Sequence, residues 1–165
     1  MGVYTFTQDN LIIPLCAQAT TITSNTEMDS FNMSQYEHAT IIMIFAASLS
    51  GHNILTVECG ATDSSDTSDA TFHHRLGAAV PASPGADTLA EDATTAALTL
   101  TDATYQGKML VLEIDGDELP KSGETVYPWV TVDFDGTAGT ATVTAFAILS
   151  KPRYAQAVMT SAIPA

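Results

Sequence analysis

The sequence predicts an all-β protein, an antiparallel β-sandwich of jelly-roll-like or immunoglobulin-like type with extended N- and C-terminal arms. Three observations predict it. Apolar and polar residues alternate with period two in run after run. Short turn-forming segments separate these runs. Helical periodicity is absent outside one turn at "TQDNLI". Seven or eight strands at that spacing imply a two-sheet architecture, and the sequence leaves the strand order open.

The strands follow in order. "HATIIMIFAASL" is β-branched and almost wholly apolar, as suits a central strand covered on both faces. After polar "SGHN", "ILTVECG" alternates with Leu55, Val57 and Cys59 on one side, so these two runs read as a hairpin. "GATDSSDTSDA" reads as an exposed loop, followed by a weaker strand at "TFHHRLG". A loop punctuated by Pro81, Pro84 and Gly85 comes next, then a strand at "TAALTLTD". "KMLVLEID" places Leu110, Leu112 and Ile114 on one face. The last pair reads as a hairpin: "VYPWVTVDF" with Val126, Val130, Val132 and Phe134 inward, then "TATVTAFAIL" with Val143, Ala145, Ala147 and Leu149 inward.

Bulk composition bounds the function. The 165 residues suffice for one domain. The expected division is an N-terminal arm over residues 1–18, the sandwich over 19–154 and a C-terminal arm over 155–165. Five Lys and Arg face 19 Asp and Glu, a net charge of −14, which disfavours direct contact with nucleic acid or an anionic membrane. The apolar run at residues 39–47 is about half the length a membrane helix requires. No signal peptide opens the chain, and Phe6 stands where an acylation signal needs Ser or Thr, so synthesis in a cytoplasm is expected.

Candidate chemistry is sparse. Asp63, Asp66 and Asp69 are spaced three apart in an oxygen-rich loop, but this misses the alternate-position pattern of calcium loops. His73 and His74 are adjacent and face opposite sides of a strand, so they do not share a metal. No nucleophile elbow groups Ser, His and Asp. The expectation is therefore no catalytic residue, no metal and no cofactor. Cys16 and Cys59 set no disulfide framework; one bond between them is open, and two buried thiols are the reading adopted. Tyr127 and Trp129 fall on one face of a strand, opposite its apolar face, which makes a candidate glycan-stacking platform; packing under a neighbour accounts for Trp129 as well.

Three pieces of the chain carry a family resemblance: "FNMSQYEHATIIMIFAA", "NILTVECGATD" and "YPWVTVDFDGTAGTATVTAFAILSKPRYAQ". The elements Met33-Ser34-Gln35-Tyr36-Glu37-His38-Ala39, Leu55 to Asp63, and Pro152-Arg153-Tyr154 resemble small virion structural proteins of tailed bacteriophages. The resemblance implies a sandwich displayed on a phage particle, most like a capsid decoration (auxiliary, cement-type) protein on the outer capsid surface. It implies the major capsid protein as partner and a homo-oligomer, with a trimer favoured. The alternative it allows is a tail or head-fibre component that binds host-surface glycan through Tyr127 and Trp129. On the decoration reading, Pro152 stops the last strand, Arg153 and Tyr154 anchor an interface, and Leu11, Ile12 and Ile13 lie across a neighbour on the N-terminal arm.

Overall fold

The computed structural model describes residues 5–23, 25–47, 49–50, 52–63, 65–81, 83–135, 140–153 and 161–163. In chain order the strands are β1 (Leu11–Pro14), β2 (Thr20–Ile22), β3 (Thr26–Glu27), β4 (Phe31–Asn32) and β5 (Tyr36–Phe45). Then come β6 (His52–Gly60), β7 (Ser68–Asp69), β8 (Phe72–Ala79), β9 (Ala93–Thr95) and β10 (Ala97–Thr101). One helical turn, α1 (Asp102–Tyr105), precedes β11 (Lys108–Asp115), β12 (Lys121–Ser122), β13 (Thr125–Val126), β14 (Trp129–Asp135) and β15 (Ala141–Pro152).

Two antiparallel sheets form the sandwich. One runs β1-β15-β5-β11-β8-β9, with β2 also on β15; the other runs β10-β6-β14-β3, with β4 on β14 and β7 on β6. Set β8 and β9 aside as an insertion at one edge. Then β1-β15-β5-β11 faces β3/β4-β14-β6-β10, and of consecutive strands in that set only β6 and β10 share a sheet. That is the strand order of a jelly roll, so of the two sandwich types the sequence allowed, the pairing selects this one.

The same order corrects both hairpin expectations. β5 pairs with β11 and β15, not with β6, and β14 pairs with β6, not with β15. Each short polar connection crosses between sheets instead of turning back within one. Ser50 and Thr140, one from each crossing, exchange backbone hydrogen bonds at 2.9 and 3.0 Å and tie the two corners together.

The core follows the alternation. Ala39, Ile41, Met43 and Phe45 of β5 and Leu110, Leu112 and Ile114 of β11 point between the sheets. They meet Leu55, Val57 and Cys59 of β6 and Val130, Val132 and Phe134 of β14. On β15 the inward set alternates Val143, Ala145, Ala147 and Leu149. The two alanines leave room for large neighbours such as Phe31, Phe45 and Phe134, the small-against-large matching that fills a core densely. Each large apolar side chain so buried stabilises the fold by about 1.5–3 kcal/mol before ordering costs. Both cysteines are free thiols. Cys59 lies in the core and Cys16 is half-buried, its Sγ 3.9 Å from the Val143 carbonyl oxygen. Where β11 bulges against β8, Gly77 lies under Met109, and a Cβ there would come within 2.9 Å of Met109 Cε.

The ends depart from the expected arms. Leu11–Pro14 is an edge strand in register with Phe146 to Leu149. Ile13 is buried, Leu11 half-buried, and only Ile12 of the three faces solvent, at 47% exposure. Unpaired main chain on β15 is the reason: the N-terminal segment completes the ladder there rather than lying free. Of the expected C-terminal arm, residues 155–160, 164 and 165 lie outside the described residues. Ala162 is 3% exposed, and its carbonyl oxygen accepts the Asn32 N–H at 2.7 Å, so this part of the tail folds back on the β4 side of the sandwich.

Candidate interaction surface

β5 was expected to be covered on both faces. Its inner face is; its outer face is only half-buried, at Thr40, Ile42 and Ile44. Cross-strand register sets those residues in an apolar field. Pro14, Phe146, Ile42 and Val111 stand abreast across β1, β15, β5 and β11. On one side the next row is Ile12, Ile148, Thr40 and Glu113; on the other it is Thr144, Ile44 and Met109. Charged side chains bound the field at Glu113 beside Thr40 on β11 and at Arg75 beside Val111 on β8. In a chain of net charge −14, a half-buried outer sheet surface of Ile, Phe, Met and Pro, backed by buried Val111, is the feature that calls for an explanation. Sequence reasoning missed the site while holding the signal for it: "ATIIMIFAA" and "AFAIL" are apolar at both parities, and only one parity is required by the core.

The apolar rows end at a titratable margin on β5, β11 and β8. His38 Nδ1 lies 2.7 Å from Asp115 Oδ1, and its Nε2 is 3.2 Å from Thr40 Oγ1 and 3.7 Å from Glu113 Oε1. Glu113 stands opposite His73 in register. His73 Nδ1 lies 2.7 Å from Asp92 Oδ2, and Arg75 Nε is 3.8 Å from Asp92 Oδ1. His38, His73, Arg75, Asp92, Glu113 and Asp115 thus line one recess of about 190 Å³. The hydrogen bond that His73 donates to Asp92, followed by the charge of Asp92, holds the imidazole above its ordinary value, and the same bond holds Asp92 below its own.

The other candidates are placed as follows. Pro152 pairs with Tyr36 at the last rung of β15 and is half-buried there. Arg153 follows it, exposed, with its N–H donating to the Gln35 carbonyl at 2.9 Å. Its side chain borders a charged recess of about 400 Å³ with Glu37, Asp115, Asp117 and Lys151. It also borders a more apolar one of about 310 Å³ with Met33, Leu119, Val126 and Pro128. Gly116 permits this, since a Cβ there would lie 3.2 Å from the guanidinium. Tyr154 lies outside the described residues.

The expected glycan platform is not assembled. The strand breaks at Tyr127 and Pro128, and Tyr127 packs against the core, while Trp129 stands on the outward parity of β14 with Thr131 and Asp133. Pro128, unable to donate to a ladder, interrupts the continuous strand that the platform required.

The acidic loop divides. The Asp63 carbonyl oxygen accepts the Ser30 hydroxyl at 2.7 Å, which pins the loop to the outer side of the second sheet. Asp69 stands opposite Glu58 in the β6–β7 pair. Burial, then the charge of Asp69 and a hydrogen bond to it, with Asp66 beyond, push the Glu58 carboxyl up to about 7. Among the described residues no three His, Cys, Asp or Glu side chains are grouped so as to hold a metal ion. Among them, too, no helix is long and apolar enough to cross a membrane.

No protein-family model and no curated protein matches the chain. Among solved structures, it is similar to the SPBc2 prophage-derived protein YomS at 10% identity and a TM-score of 0.46, over 89% of this chain and 99% of that one. It is similar more faintly to a protein of the infectious bursal disease virus T13 particle, at 12% identity and a TM-score of 0.26. In that case 94% of this chain aligns with 42% of the viral chain. A further neighbour is the D431N mutant of that virus's VP2 protein, at 14% identity and a TM-score of 0.25, over 94% of this chain and 43% of that one. At such scores these likenesses do not establish what this chain does; the jelly-roll order rests on its own strand pairing.

Proposed function

We propose that the protein is a non-enzymatic virion structural protein that seats the outer face of its β1-β15-β5-β11 sheet on the outside of a phage capsid and stabilises the shell by contacts between subunits. The observation that carries this reading is the apolar field around Ile42 and Phe146 on the outer face of β1, β15 and β5, which meets charge only where Glu113 stands on β11 and Arg75 on β8. The jelly roll agrees with it by analogy, since this fold recurs in viral capsid domains. Charge agrees as well: a net charge of −14 suits a position outside the shell, distant from a packaged genome.

Magnitude argues for an array over a lone pair. A few hundred Å² of apolar area at about 25 cal/mol per Å² is worth several kcal/mol. Association itself costs about 4–15 kcal/mol, so one such contact is weak in solution. Repetition changes the balance: a homo-oligomer, a trimer on this reading, presents several faces at once and their contributions combine. Arg153, exposed at the end of β15, adds a planar cation beside the seat.

The test is quantitative mass spectrometry of purified particles from the source lysate. A copy number near that of the major capsid protein supports a shell-covering role. A handful of copies per particle transfers the protein to tail or fibre, and absence from the particle defeats the reading.

A further inference from the structure

The docking face has two halves, one apolar and one that titrates. Thr40 and Ile42, at the centre of the apolar rows, share β5 with His38, and Glu113 stands beside Thr40 on β11. A partner seated over Ile148 and Thr40 therefore meets Glu113 one strand further along the same row, roughly 4.8 Å from Thr40. The charged groups there are Glu113 and Asp115 on β11, Arg75 on β8 and Asp92 beyond it. Glu118 and His74 act on the same cluster from farther away.

With His73 neutral, Glu113, Asp115 and Asp92 outnumber Arg75 three to one, and covering them strips water from uncompensated carboxylates. Protonation of His73, already in contact with Asp92, adds a second cation beside Arg75. Imidazole is the side chain that changes charge in this pH range. We propose that docking through this face takes up a proton on His73, held 2.7 Å from Asp92 in the row of Glu113, so that the contact is tighter in mildly acidic solution than in mildly alkaline solution. The inference rests on the docking reading of the same face. By linkage, each proton taken up contributes at most a tenfold gain in affinity per pH unit.

The experiment is co-sedimentation of the full-length protein with shells purified from the source lysate and freed of this chain, across about pH 6 to 8. Wild type, His73→Gln and Ile42→Asp are compared. The expected result is wild-type affinity rising as pH falls, with a slope of up to one proton, and a flat profile for His73→Gln. Wild-type binding that is equal across the range but lost in Ile42→Asp overturns the proton coupling and leaves the docking face standing. No wild-type binding at any pH, or binding that Ile42→Asp does not weaken, overturns the docking face and the coupling with it.

Discussion

Ile42 stands directly across from Phe146 on neighbouring strands, and both side chains lie on the outer face of the sheet while Ile41 and Ala147, one residue away, are fully buried inside. Two apolar faces on one strand pair separate what the fold needs from what it leaves available.

That separation predicts opposite outcomes for neighbouring substitutions. Met43→Ala empties a fully buried inward position and is expected to cost about 2–5 kcal/mol. Ile42→Thr, on the half-buried outer parity, should cost under about 1 kcal/mol. Denaturant titration of both variants checks this. An Ile42→Thr loss as large as that of Met43→Ala would mean the outer face is core.

Glu58 and Asp69 predict a pH dependence of stability. Glu58 is raised in the folded state from 4.5 to about 7, chiefly by burial and then by Asp69. A carboxyl raised by folding contributes stability that is fully present below its unfolded value and lost as pH rises through its folded one. Asp133, raised by burial, acts in the same direction. His73, raised by Asp92, also stabilises more below its unfolded value and less as pH rises. Asp92, lowered by His73, opposes them only as pH falls through the carboxylate range. The midpoint of thermal unfolding should therefore be higher near pH 5 than near pH 8, and Glu58→Gln should shrink the difference. A midpoint that climbs toward alkaline pH contradicts this.

The thiols should differ in reactivity. Burial first, then the charge of Glu58, pushes the Cys59 thiol up to about 12, and the side chain is fully enclosed. Maleimide labelling of the native protein should therefore modify Cys16 well before Cys59, and unfolding should equalise them. Equal rates in the native state would place Cys59 outside the core.

Gly60 ends β6 where the loop folds back over it. A Cβ built at this position would overlap the Ser65 carbonyl. Gly60→Ala is expected to cost about 1–3 kcal/mol and to hasten proteolysis between residues 61 and 67. Unchanged melting and cleavage would show that the loop lies elsewhere.

Much of the fold was legible because the core imposes period two. The inward sets of β6, β11, β14 and β15 were readable from alternation, and the structure buries them, apart from Val126, which falls on β13 and is half-buried. The pairing was not legible: a polar corner at "SGHN" and one after Phe134 look alike whether the chain turns back within a sheet or crosses to the other. Only long-range register decides between them. Leu11–Pro14 resembled a free arm because an edge strand needs just one partner, and that partner lies more than a hundred residues away. The histidine margin was invisible for a similar reason. His38, His73 and Glu113 come from three strands, and each alone reads as a solvated polar residue.

The most direct test of the docking face is site-specific photo-cross-linking in assembled particles, with the photoreactive residue at position 148 on the outer face of β15 or at position 133 on the opposite sheet. The account predicts cross-links from position 148 to a second, abundant particle protein and none from position 133. Cross-links from 133 alone, or from neither position in particles that contain the protein, would contradict it.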